Sequence, residues 1–108
     1  MALLEFSITP LGRGESVGQY VARCVEIVER SGLDHELHAM GTVVEGEPAA
    51  LLKLLGDCLA AVAADCDRVT CSAKLDIRRG HSGQLHGKVE SVRRRRGGSA
   101  SQAGSAAP

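Results

Sequence analysis

The sequence predicts an α+β fold, a ferredoxin-like βαββαβ sandwich: a four-stranded antiparallel sheet, two helices on one of its faces and a short third helix at the C-terminal end. Three observations predict it. Apolar residues alternate with polar ones in extended segments, as half-buried strands require. Between those segments, apolar residues recur at helical spacing. The two middle strands are joined too tightly for a crossover, so they form a hairpin, and two strand-helix-strand units joined by a hairpin give this sandwich.

Residues 3–9 alternate cleanly, with Leu4, Phe6 and Ile8 on one face and Leu3, Glu5, Ser7 and Thr9 on the other. Pro10 and the turn Gly12-Arg13-Gly14 stop this strand. Ser16 is placed to cap the helix that follows. In it Val17, Tyr20, Val21, Cys24, Val25 and Val28 share an inward face, and Gly32 is a natural stop. Residues 34–40 and 42–46 form the hairpin, with Gly41 at the bend. Pro48 suits the first position of a second helix. There Leu51, Leu52, Leu55, Cys58, Leu59 and Val62 give the inward face, and the helix ends near Ala64. Residues 67–78 are the longest strand, with Val69, Cys71, Ala73, Leu75 and Ile77 on one side and Thr70, Ser72, Lys74, Asp76 and Arg78 on the other. Leu85, Val89 and Val92 mark the third helix. Residues 97–108 are rich in Gly, Ser and Ala without an apolar pattern, so the domain is expected over 1–96 and a disordered tail over 97–108.

The chain has 108 residues, enough for one domain with one two-layer core. Aromatic residues make up 2%, which argues against a single-stranded nucleic-acid binder built on stacking platforms. Formal net charge is zero but unevenly placed. Up to Ile77 there are 6 Lys and Arg against 12 Asp and Glu; from Arg78 onward there are 7 against 1. The body is therefore acidic, the end is basic, and no basic surface marks the fold itself. Arg93 to Arg96 form an arginine run that reads as a solvated tail, so neither nucleic acid nor a membrane is expected as partner. No run approaches the roughly 18 apolar residues of a membrane span, and the first residues lack a basic stretch before their apolar one. A cytoplasmic location follows, where the four cysteines stay thiols.

Chemistry-bearing residues are sparse. Cys24, Cys58 and Cys71 fall on core faces and read as buried thiols, while Cys66 sits in a loop. No pair is spaced as C-x-x-C, which disfavours zinc or dithiol chemistry. His35 and His38 lie on opposite faces of one strand; His81 and His86 flank a glycine-rich turn with no carboxylate near in sequence. No metal site and no cofactor is expected. Gly12-Arg13-Gly14 lacks the pattern of a phosphate loop and serves to relax the turn. No nucleophile-and-base arrangement is visible in the spacing. The two helices leave one sheet face open, carrying Ser7, Thr9, Ser72, Lys74 and Asp76. On it Asp76 and Glu45 read either as solvated carboxylates or as acceptors for a cationic or amino-bearing ligand.

Three strings carry a resemblance. Glu5-Phe6-Ser7-Ile8-Thr9-Pro10-Leu11-Gly12, Met40-Gly41-Thr42-Val43-Val44-Glu45-Gly46 and Lys74-Leu75-Asp76-Ile77-Arg78 resemble the YkoF-like thiamine-binding protein family over about residues 3–95. The hairpin string is the most specific. The resemblance implies a subunit that dimerises through its sheet and pairs again into a tetramer. It also implies binding of thiamine, or of its hydroxymethylpyrimidine moiety, without turnover. On that basis Ser7 and Thr9 face the ligand, Met40 and Thr42 border it at the hairpin, and Glu45 and Asp76 hydrogen-bond the aminopyrimidine or balance the thiazolium charge. The cleft is expected on the open sheet face at a subunit interface, where a second copy supplies the missing wall. Thr42 and Glu45 point to opposite faces of a regular strand, so both serve one site if Gly41 bends the hairpin or Thr42 contributes its backbone. The arginine run and the tail are not part of the family pattern. The alternatives are a structural or regulatory oligomer whose sheet face serves assembly, and an enzyme of modest activity using Asp76 or Glu45 as a base.

Overall fold

The computed structural model describes residues 1–12, 17–80 and 83–100. The expected Ser16 cap, Arg13 and Gly14 of the first turn, His81, and residues 101–108 of the expected tail lie outside the described residues. Seven elements follow one another: β1 (Ala2–Leu11), α1 (Gly18–Ser31), β2 (Asp34–His38), β3 (Gly41–Gly46), α2 (Pro48–Ala63), β4 (Arg68–Ile77) and α3 (Gln84–Ala100). The strands form one sheet in the order β2-β3-β1-β4, with every neighbouring pair antiparallel. This is the α+β ferredoxin-like sandwich with a third, C-terminal helix.

Each boundary has a local cause. Gly32 closes α1 in the left-handed conformation, φ 72°, and its N–H donates to the Glu29 carbonyl. Pro48 opens α2 at a position where its missing N–H costs nothing. Gly41, which opens β3, approaches the neighbouring strand closely: a Cβ there would lie 2.8 Å from the Phe6 carbonyl oxygen.

The core lies between the sheet and α1 and α2. It joins Leu4 and Phe6 of β1, Val44 of β3, Tyr20, Cys24 and Val28 of α1, and Leu51, Leu54, Cys58 and Val62 of α2. Leu4, Val44, Leu51 and Val62 are wholly buried. Truncating one of the leucines to alanine costs about 2–5 kcal/mol on precedent. In α2, Leu54 rather than Leu52 completes the buried stripe. At about 100° per residue Leu54 lies 60° from Leu51 around the helix, whereas Leu52 lies 100° away and is exposed.

The expectation that Cys71 is a buried thiol is corrected. Cys71 points to the helix side of the sheet, as its pairing with Ile8 requires, but it is exposed. The cause is coverage. β4 is an edge strand, and beyond Val69 the helices leave its apolar residues largely uncovered: Leu75 keeps 37% and Ile77 63% of its surface. The opposite sheet face departs from expectation too, because α3 lies against part of it. Leu85 is buried there at 6% exposure, and His86 reaches β2.

Candidate functional site: a cleft where β1 outruns its partner

Pairing lengths shape the site. β1 pairs with β4 along its whole length, from Ala2 with Ile77 to Leu11 with Arg68. It pairs with β3 from Ala2 to Phe6 and no further. Beyond Phe6 the hairpin turns away, so residues 7–11 have no strand on that side among those described. Such a break leaves main-chain donors and acceptors facing open space. The first turns of α1 roof the gap.

The resulting cleft has a volume of about 330 Å³. Phe6, Ile8 and Pro10 of β1 and Val17 and Val21 at the start of α1 give it apolar walls. Ser7 and Thr9 border it along the strand, and Leu37, His38, Met40, Gly41 and Thr42 border it at the hairpin. Met40 at the tip is 89% exposed. Thr42, in register with Phe6 and Leu37, faces the helix layer and is buried. A second depression, about 370 Å³, lies between α1 and α2. Its cations Arg30 and Lys53 are each paired with a carboxylate one helical turn away.

Four of the six residues singled out from the sequence therefore meet at one cleft: Ser7, Thr9, Met40 and Thr42. Glu45 and Asp76 stand elsewhere. Both pair in register with Leu3, one from each side, near the opposite end of the sheet and on its other face. Two strand spacings separate them, about 9.5 Å. Glu45 is buried at 5% exposure on the face against which α3 lies. Spacing along the chain gave no sign of Val17, Val21 or Cys24 as lining residues, because which turn of α1 roofs the gap depends on where β3 ends.

Two further groupings were hidden in the sequence. His86 of α3 stands 3.1 Å from Asp34 and 3.7 Å from Glu36, and His38 stands 3.5 Å from Glu36. All these side chains are well exposed, where ion pairs contribute about 0–1 kcal/mol. Among the described residues no group of three or more His, Cys, Asp or Glu is arranged to hold a metal ion. Outside the cleft lining, Arg23 ties α1 to the end of α2. Its guanidinium donates to both carboxylate oxygens of Asp65 at 2.9 and 3.0 Å and to the Ala61 carbonyl at 3.1 Å, and it lies 4.9 Å from the Tyr20 ring centre. Beside it, the Cys58 thiol points to the Cys24 carbonyl at 3.9 Å.

Comparison with known proteins agrees with this architecture. The sequence model of the thiamine-binding protein family matches residues 4–93. The chain belongs to the thiamine-binding protein family. Among curated relatives, the UPF0045 protein MJ1052 of Methanocaldococcus jannaschii is 38% identical over 88 residues, covering 82% of this chain and 88% of its own. The UPF0045 protein Mb1933 of Mycobacterium bovis is 40% identical over 93 residues, covering 85% and 91%. The crystal structure of MJ1052 superposes with a TM-score of 0.79 at 36% identity, over 84% of this chain and 94% of that one. A Thermotoga maritima protein assigned provisionally to thiamine biosynthesis or salvage superposes with a TM-score of 0.72, over 84% and 97%; at 16% identity it shows the shared fold alone. No helix among the described residues is long and apolar enough to cross a membrane.

Proposed function

We propose that the chain binds thiamine, or its hydroxymethylpyrimidine moiety, without turnover, in the cleft between the free end of β1, the hairpin and the start of α1. The family supports the ligand. The observation that carries the location is the meeting of Ser7, Thr9, Met40 and Thr42 around one cavity. Its volume falls within the roughly 300–1,000 Å³ usual for small-molecule sites. On this reading the aminopyrimidine lies between Phe6, Ile8 and Val21. Its amino group and ring nitrogens meet the Thr42 hydroxyl and the main chain of β1 at Ser7 and Thr9, whose side chains point to the other sheet face. Matching matters, because each buried polar group left unpaired costs about 1–3 kcal/mol. The thiazolium then points to the open mouth, toward His38 and Met40.

This places the ligand at the end of the sheet instead of on its open face. Glu45 and Asp76 then lie outside the cleft of their own chain; Asp76 touches ligand only across a subunit boundary, and Glu45 is buried. A homodimer, or a tetramer built from two of them, is part of the proposal. Its support is the uncovered β4, with an unpaired edge and exposed Leu75 and Ile77. The same surface favours the second reading, a structural or regulatory oligomer without a ligand. We place the protein in the cytoplasm, with neither nucleic acid nor membrane as partner.

Calorimetric titration with thiamine and with hydroxymethylpyrimidine separates the two readings. Saturable heat and a raised Tm with either compound are expected. Neither heat nor a thermal shift would leave the assembly reading. Thiamine recovered unchanged by mass analysis after long incubation is the expected sign of binding without turnover; a new product would transfer the cleft to an enzyme.

A further inference from the structure

Two thiols that ligand binding does not use stand at the back of the cleft. Cys24, on the inner face of α1, lines it and keeps 8% of its surface. Cys58, on α2, is wholly buried, and its Sγ lies 3.9 Å from the Cys24 carbonyl oxygen. Both are free. We propose that Cys24 is a covalent modification site for small disulfides that enter the cleft, and that Cys58 resolves the adduct by closing a Cys24–Cys58 disulfide between α1 and α2.

The arrangement divides the two roles. Cys24 is among the residues lining the cleft, whereas Cys58 is not and is wholly buried. The neighbouring Cys58 side chain pushes the Cys24 thiol down against the effect of burial, and the nearby Arg23 charge adds to this. Cys58 moves the other way: its closeness to Cys24 and its burial both push it up. The sulfur that ionises first is thus the one open to the cleft, as an attacking thiol requires. The exposed Cys71 differs, since partial burial holds its thiol above the usual range without a donor to offset it.

The chemistry balances. The Cys24 thiolate attacks one sulfur of a small disulfide, R–S–S–R. A Cys24–S–R bond forms, the original S–S bond breaks, and the departing thiolate takes up a proton. Cys58 then attacks the Cys24 sulfur, a Cys24–Cys58 bond forms, and the second R–S⁻ leaves with the Cys58 proton. Two protein thiols are oxidised to one disulfide while one small disulfide is reduced to two thiols. In the intermediate the R group occupies the cleft, so the step also closes it to other molecules.

The test uses the full chain and bis(2-hydroxyethyl) disulfide as probe, with an acid quench and peptide mass mapping. A Cys24–Cys58 cross-link is expected, with the intact mass lower by two hydrogens. Cys58→Ala should instead accumulate a 2-hydroxyethylthio adduct, a mixed disulfide, on Cys24. A Cys66→Ser, Cys71→Ser double variant, altered outside the cleft, should keep the cross-link and remains informative if Cys58→Ala does not fold. Labelling confined to Cys66 and Cys71, with Cys24 and Cys58 reactive after unfolding in urea and not before, overturns the proposal. It does not depend on the vitamin: a cross-link in a protein that gives no heat with thiamine upholds this inference and removes the ligand reading.

Discussion

The two ends of the sheet are built from the same strands and came out differently. At one end β1 continues past its partner, the hairpin bends away, and the gap is walled by apolar side chains with the Thr42 hydroxyl at its edge. At the other, Asp34, Glu45, Leu3 and Asp76 stand in register across all four strands. There α3 lies against the sheet, and Glu45 has almost no contact with solvent. The end with carboxylates had the stronger chemical signature in the sequence. The end with the cavity has weaker chemistry but room for a molecule. The difference teaches that a binding site is set first by where strand pairing stops and only then by which side chains surround the gap.

That contrast can be broken by mutation, and the expected effects on affinity for thiamine form a graded series. Gly41→Val should have the largest effect. Its side chain would collide with the Phe6 carbonyl, so the hairpin must shift; binding is expected to vanish in calorimetry and stability to fall by about 1–3 kcal/mol in a urea melt. Val21→Trp fills the cleft from its roof. Val21 keeps 42% of its surface, so Tm should hold while affinity falls by about tenfold or more, equivalent to about 1.4 kcal/mol. Thr42→Val keeps the shape and removes the hydroxyl; the loss of one hydrogen bond, about 1 kcal/mol, predicts a decrease of about fivefold. At the far end, Leu85→Ala should cost about 2 kcal/mol of stability and leave affinity within about twofold. Asp76→Asn is expected to change least. A large loss of binding in either of the last two would erase the distinction between the ends and return the ligand to the α3 side.

Most of the fold was legible in the residues. Alternation placed β1 and β4, helical spacing placed α1 and α2, and Gly32 and Pro48 marked boundaries that hold to within a residue. Less legible was whatever depends on relative length or coverage. Nothing local says that β3 stops short of β1, yet that mismatch makes the cleft. Cys71 sits on the right face for burial, but the helices do not cover it. His86 found Asp34 and Glu36 because α3 folds back over the sheet, a contact between residues about fifty positions apart. Ser7, Thr9, Met40 and Thr42 were placed through the family's motifs, and their gathering at one cavity could not be read from any one strand.

The Arg23 clasp gives the cleft one fixed jaw and one loose jaw. Fastened to Asp65 and to the Ala61 carbonyl, α1 moves as a unit with the far end of α2. The hairpin opposite is held by strand pairing at its base, and its tip, Met40, stands almost free of neighbours. On the proposed reading, a guest enters past the exposed Met40 while the α1 wall stays fixed.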